Sequence, residues 1–197
     1  MSIEQIQPRR KSIRLKEYDY SRAGGYFVTI CTQDRDCLFG EIVDGTMILN
    51  EMGKIVESEW IKSPEIRSEI ELDVFQIMPN HFHTVLFIMG LNDDDPVVGA
   101  TGRSPLQSNP NPPNGPRPKS LSSLMAGFKS AVTTNINLFR GTPGAKLWQR
   151  NYYDRIIRDD DELNRIREYI IYNPKKWEED KDNPQNWNSH PKNSLGD

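Results

Sequence analysis

The sequence predicts an α+β domain built on an antiparallel sheet, and three observations carry that prediction. Short runs rich in β-branched and aromatic residues alternate with two stretches of helical periodicity, in the order strand, helix, strand, strand, helix, strand. The two central strands are joined at Pro79-Asn80, with almost nothing between them. Right-handed crossovers through the two helices place both on one face of the sheet. Together these give the split βαβ plan of a ferredoxin-like domain, followed by an added C-terminal helix.

Each element has its own signal. Residues 1–22 form an N-terminal arm whose basic cluster is Arg9, Arg10, Lys11, Arg14 and Lys16, with Tyr18 and Tyr20 beside it. Gly24-Gly25 then releases a strand over residues 26–32. Residues 39–50 read as a hairpin around the turn dipeptide Asp44-Gly45. Met52, Ile55, Val56 and Trp60 fall at helical spacing and predict a helix over 51–61. Residues 70–89 hold the two buried central strands. Residues 91–118 contain Asp93-Asp94-Asp95 and then mostly Ser, Asn, Gly and Pro, a composition that buries too little to offset its ordering entropy, so a mobile loop is expected. Leu121, Leu124, Met125, Phe128, Val132, Ile136 and Phe139 restore helical spacing over 120–139, and residues 147–158 read as the last strand. The acidic run 159–162 suits the positive end of a helix dipole, and Pro174 stops the helix that runs from Leu163 to about Asn173. Residues 178–197 read as a polar tail.

The totals narrow the function classes. At 197 residues the chain is long enough for one core domain with arms. Its composition is that of a soluble globular protein, with no apolar run of membrane-spanning length and no signal-peptide segment, so a cytoplasmic location is expected. Cys31 and Cys37 fit a reducing compartment better than a disulfide framework. A net charge of −3 argues mildly against non-specific nucleic-acid binding. The distribution argues otherwise. Between Pro96 and Tyr153 there is no acid, while Arg103, Arg117, Lys119, Lys129, Arg140, Lys146 and Arg150 are basic. Two basic zones around a metal site would suit a phosphate backbone, although a charge run is more often a solvated face.

The chemistry-bearing stretch is Met78-Pro79-Asn80-His81-Phe82-His83. Side chains alternate along a strand, so His81 and His83 share one face and Phe82 takes the other. Two imidazoles so placed can reach one divalent cation, where a lone strand histidine would more often be a satisfied core residue. The chain has three histidines, and two are here. This stretch resembles the metal motif of the single-tyrosine HUH transposases, above all their REP-associated tyrosine transposase branch.

The last helix gives a second match. Leu163, Ile166 and Ile170 make its buried stripe, with Tyr169 and Asn173 one turn apart on the flank and Tyr172 near the opposite side. By spacing alone Tyr169 would be a packing residue with a wet hydroxyl. Glu168-Tyr169-Ile170-Ile171-Tyr172-Asn173-Pro174, however, resembles the catalytic-helix motif of the same family. Tyr152, Tyr153 and Tyr172 are the competing tyrosines.

The resemblance covers residues 8–177 and implies a domain over 23–177, after the arm and before the tail. It implies that Tyr169 is the nucleophile, that His81 and His83 hold Mg²⁺ or Mn²⁺, and that Asn173 is a further ligand. It also implies a single-stranded or hairpin DNA substrate joined covalently through a 5′-phosphotyrosine, with no nucleotide cofactor and a monomer or homodimer as the acting unit. Arg9, Arg10, Lys11, Arg14, Tyr18, Tyr20, Arg117, Lys119, Lys129 and Arg150 are the expected DNA contacts. Two other readings compete. One is a non-catalytic nucleic-acid-binding protein on the same core. The other is an unrelated His-x-His metal hydrolase, which would want further His or acidic ligands.

Overall fold

The computed structural model describes residues 23–89 and 116–188. The arm with Arg9, Arg10, Lys11, Arg14, Tyr18 and Tyr20 lies outside them, as do residues 91–115 of the expected loop and the third histidine, His190.

The first strand, β1 (Gly24–Cys31), starts at the glycine pair and runs through the β-branched stretch. β2 (Gly40–Val43) and β3 (Thr46–Leu49) form a separate two-stranded hairpin. Asp44 and Gly45 both have positive φ at its tip, which a two-residue turn between right-twisted strands requires. Helix α1 (Glu51–Ile61) is capped by the Asn50 side chain accepting from Gly53 N. Gly53 itself is required there: a Cβ would stand 2.2 Å from the Phe39 carbonyl oxygen. A one-turn helix α2 (Ser63–Ile66), which no sequence signal announced, leads to β4 (Ile70–Met78) and β5 (His81–Ile88). Helix α3 (Leu121–Arg140) opens on a Ser120–Ser123 capping box and closes on Gly141 in the left-handed conformation. Strand β6 (Tyr153–Ile157) and helix α4 (Asp160–Ile171) complete the set.

The four-stranded sheet has the order β4-β5-β1-β6, every neighbouring pair antiparallel. Sequence-adjacent β4 and β5 are side by side, and β1 sits between β5 and β6. That is the split βαβ arrangement expected from the sequence.

The last strand is shorter than the 147–158 expected. Leu147 and Trp148 are buried, and Trp148 joins the end of β1 through an isolated bridge to Thr32. Gln149 N still donates to Cys31 O at 2.9 Å, but residues 150–152 leave the ladder, and Lys129 Nζ donates to the carbonyls of Gln149 at 2.5 Å and Arg150 at 3.3 Å. Helix α4 begins at Asp160, one turn before the expected Leu163. Asp159 caps it by accepting from Glu162 N at 2.7 Å, so the acidic run is its cap and first turn.

The two faces of the sheet differ. Tyr26, Val28 and Ile30 of β1 and Phe82, Leu86 and Ile88 of β5 point to α1 and α3, where Trp60, Phe128 and Val132 complete the main core. The opposite residues, Phe27 and Val85, meet Leu163 and Ile170 of α4 in a smaller cluster. His81 and His83 belong to this second face. Among the described residues no helix is long and apolar enough to cross a membrane.

Candidate active site

Strand alternation and register assemble the site. Cys31 pairs with His81 and Thr29 with His83 across β1 and β5, so the two imidazoles stand side by side. Their ring centroids are 4.5 Å apart. Phe82, between them in sequence, is fully buried on the other face against Trp60.

Helix α4 crosses this face because its apolar stripe has Phe27 and Val85 to cover. Asp73 fixes the crossing: it lies at an irregularity in β4 and forms an ion pair with Arg167 of the helix. The helix thereby sets Tyr169 Oη 3.4 Å from His83 Nε2. The Tyr169 ring meets Phe27 edge-on at 6.1 Å, which steadies the phenol while leaving it 46% exposed.

Burial controls the charges. Both imidazoles are nearly inaccessible, and desolvation pushes His81 down to about 4 and His83 well below its ordinary value. Both are therefore neutral at physiological pH, the state in which imidazole binds a cation. Burial raises the Tyr169 phenol, while the nearby Asn173 side chain acts the other way and favours its phenolate.

The Nδ1 atoms are occupied, His81 with Asn80 Oδ1 at 2.9 Å and His83 with Thr29 Oγ1 at 2.7 Å. His81 Nε2 and Asn173 Oδ1 are both buried without a hydrogen-bond partner among the described residues. Buried polar atoms of a native protein ordinarily have a partner, and the Asn173 side chain also acts on His81, so these two atoms lie close enough to share one cation. Two neutral nitrogens and an amide oxygen form a donor set that a divalent transition ion accepts. No third His, Cys, Asp or Glu joins the pair among the described residues.

The structure brings Tyr169, His81, His83 and Asn173 together. Of the basic residues, Arg150 lines a cavity of about 1150 Å³ that starts at His83 and Tyr169 and runs along the end of β6 toward α3. Arg35 and Lys181, which sequence reasoning did not single out, line it too. Lys129 also borders the cavity, but its ammonium is engaged with the Gln149 and Arg150 carbonyls. Arg117 and Lys119 are exposed just before α3. Tyr152 and Tyr153 border the cavity, and Tyr172 is exposed at the end of α4. Asn80 and Thr29 were also missed. Asn80 stood beside His81 in the motif, but nothing in the sequence of Thr29 marks it, since only the β1–β5 register puts it under His83.

No family model matches the chain. Among solved structures, a REP-associated tyrosine transposase bound to a REP hairpin shares the fold, with a TM-score of 0.54 at 18% identity over 84% of this chain and 74% of that one. Among curated proteins, an uncharacterized protein of Haemophilus influenzae is 38% identical over 176 residues, 87% of this chain and 91% of the relative. On that identity and coverage, the chain belongs to the family of the Haemophilus influenzae protein.

Proposed function

We propose that the chain is a metal-dependent nicking and joining enzyme of single-stranded, hairpin-containing DNA, a transposase-like activity with Tyr169 as nucleophile. The observation that carries this reading is the 3.4 Å approach of Tyr169 Oη to His83 Nε2 beside the His81–His83 pair. A half-exposed hydroxyl beside paired neutral imidazoles suits a nucleophile next to a cation site, and the fold shared with a hairpin-bound tyrosine transposase supports the same reading.

His81, His83 and Asn173 would hold Mg²⁺ or Mn²⁺, with the substrate phosphate completing the shell. Bound there, the ion would polarise the scissile phosphate and neutralise charge in the transition state. Tyr169 supplies the attacking oxygen. Its Oη–P bond forms as the P–O3′ bond breaks, and the phenol proton is released to solvent water, which returns one proton to the departing 3′ oxygen. Asn173 favours the phenolate against the effect of burial. Because the phosphotyrosine keeps the diester's energy, a second 3′-hydroxyl can reverse the step and join strands. Phe27 holds the Tyr169 and His83 rings, and the cavity bordered by Arg150 and Lys181 suits the flanking phosphates, while Arg35 on its wall is paired with Asp182.

The test is a labelled hairpin with single-stranded flanks, incubated with protein and Mn²⁺ and resolved under denaturing conditions. A covalent protein–DNA band in the wild type, absent in Tyr169→Phe, is the expected result. The reading fails if no hairpin gives an adduct, or if Tyr169→Phe still forms one.

A further inference from the structure

We infer that Asn80 is the positioning residue that sets His81 in its cation-binding tautomer, and that residues 178–183 belong to the site because they hold Asn80. This rests on His81 and His83 being metal ligands.

Asn80 is fully buried in the turn between β4 and β5. Its side-chain nitrogen donates to two backbone carbonyls, Arg35 O at 3.0 Å and Asp182 O at 2.7 Å. A carbonyl oxygen only accepts, so the end of the amide that faces these two must be the NH₂ group. A flipped amide would set oxygen against oxygen twice. Oδ1 therefore faces His81 Nδ1 at 2.9 Å. That oxygen also only accepts, so Nδ1 carries the ring proton and the lone pair of the neutral ring is on Nε2. Nε2 is the buried His81 atom without a partner among the described residues.

His83 is held differently. Its Nδ1 meets Thr29 Oγ1, a hydroxyl that donates or accepts equally well, so that contact leaves the tautomer open. Only at His81 do the neighbours decide where the proton is.

The decision depends on chain distant in sequence. Thr32 grips the Asn80 carbonyl through N at 2.9 Å and Oγ1 at 3.0 Å, which fixes the turn. Asp182 reaches Asn80 because residues 180–183 fold back. Asp182 N donates to Asp180 Oδ1 at 2.7 Å, Asn183 Nδ2 donates to the Trp177 carbonyl at 3.0 Å, and Asp182 pairs with Arg35. Asp182 and Asn183 are buried, and the Trp177 ring lies 6.0 Å from that of His81.

The experiment uses full-length, ¹⁵N-histidine-labelled, metal-free protein, with imidazole ¹⁵N shifts read near neutral pH and Mn²⁺ affinity read by the free-ion EPR signal. Wild type should show His81 protonated at Nδ1. Asn80→Ala should move His81 toward the Nε2–H tautomer and weaken Mn²⁺ binding by about 10–100-fold. Asn80→Asp keeps an acceptor for Nδ1–H but loses the donors to both carbonyls. It should therefore retain the tautomer while residues 178–188 become open to limited proteolysis. A merely structural Asn80 would lower stability in both variants and leave the tautomer unchanged.

The inference is overturned if wild-type His81 carries its proton on Nε2. It is equally overturned if folded Asn80→Ala keeps both tautomer and Mn²⁺ affinity. Should Asn80→Ala fail to fold, the wild-type and Asn80→Asp spectra decide alone. None of these readouts uses DNA. An adduct-negative wild type with the expected tautomer sinks the proposed function and spares this inference, and an adduct-forming wild type with Nε2–H does the reverse.

Discussion

The two faces of the central sheet are made from the same strands and put to opposite uses. The face under α1 and α3 is a closed apolar core in which Trp60 meets Phe82 and Phe128 edge to face. The face under α4 has a much smaller apolar cluster and, beside it, buried histidines, an orphaned Asn173 oxygen and a half-exposed tyrosine. Burying polar groups costs free energy unless they are paired, so the second face is the poorer source of stability. The closed face therefore stabilises a scaffold on which the open face can hold its buried histidines and half-exposed tyrosine together. Residues 81–83 show this most compactly, with two imidazoles one way and a phenylalanine the other.

The sharpest way to break the comparison is to remove one oxygen from the open face. Tyr169→Phe should reduce covalent adduct formation below detection, since no other group replaces the attacking atom. Its stability should change by less than about 0.5 kcal/mol, as for other substitutions at exposed positions. Urea unfolding beside the adduct assay checks both halves. A large loss of stability would mean that Tyr169 is a packing residue.

Phe82→Ala tests the closed face one residue from each of the two histidines. It should cost about 3–5 kcal/mol in chemical denaturation, the usual range for a fully buried phenylalanine cut to alanine. Where the variant remains folded at low temperature, it should still form the adduct. Loss of adduct from fully folded Phe82→Ala would show that the faces are not separable.

A smaller effect is expected where α4 is pinned to the sheet. Arg167 holds the Asp73 carboxyl below the ordinary carboxylate range, chiefly through its hydrogen bonds. The ionised pair therefore stabilises the fold above about pH 4, the unfolded carboxylate value, and that stability is lost as pH falls through the lower folded-state value. Asp73→Asn should lower the urea midpoint at neutral pH by on the order of 0.2 M, with the difference from wild type vanishing in acid. A difference that persists in acid would assign the effect to packing.

Tyr172→Phe is the smallest. The residue is exposed at the end of α4, so neither stability nor adduct yield should change measurably. Loss of the adduct here would move the nucleophile by three residues and leave the rest of the site intact.

Much of this was legible in the sequence because it depends on local periodicity. Alternation fixed that His81 and His83 share a face, and the helical repeat put Tyr169 and Asn173 on the flank of α4. Asp44-Gly45 announced its turn, since few other pairs accept two positive φ values. Periodicity failed at residues 147–152. Buried Leu147 and Trp148 read as strand, yet the Lys129 contacts hold the following carbonyls off the ladder. The acidic run 159–162 misplaced the start of α4 because a capping aspartate and a first-turn aspartate look alike in sequence.

By itself, then, the sequence determined the order of elements, the faces of each strand and helix, and the residue types available for chemistry, because each follows from neighbours a few positions apart. Tertiary structure alone decided which residues meet. The β1–β5 register put Thr29 against His83, the Asp73–Arg167 pair helped hold α4 so that Tyr169 faces the histidines, and the return of residues 180–183 brought the Asp182 carbonyl to Asn80. Those contacts join residues 54, 94 and 102 positions apart, a separation at which no side-chain period carries information.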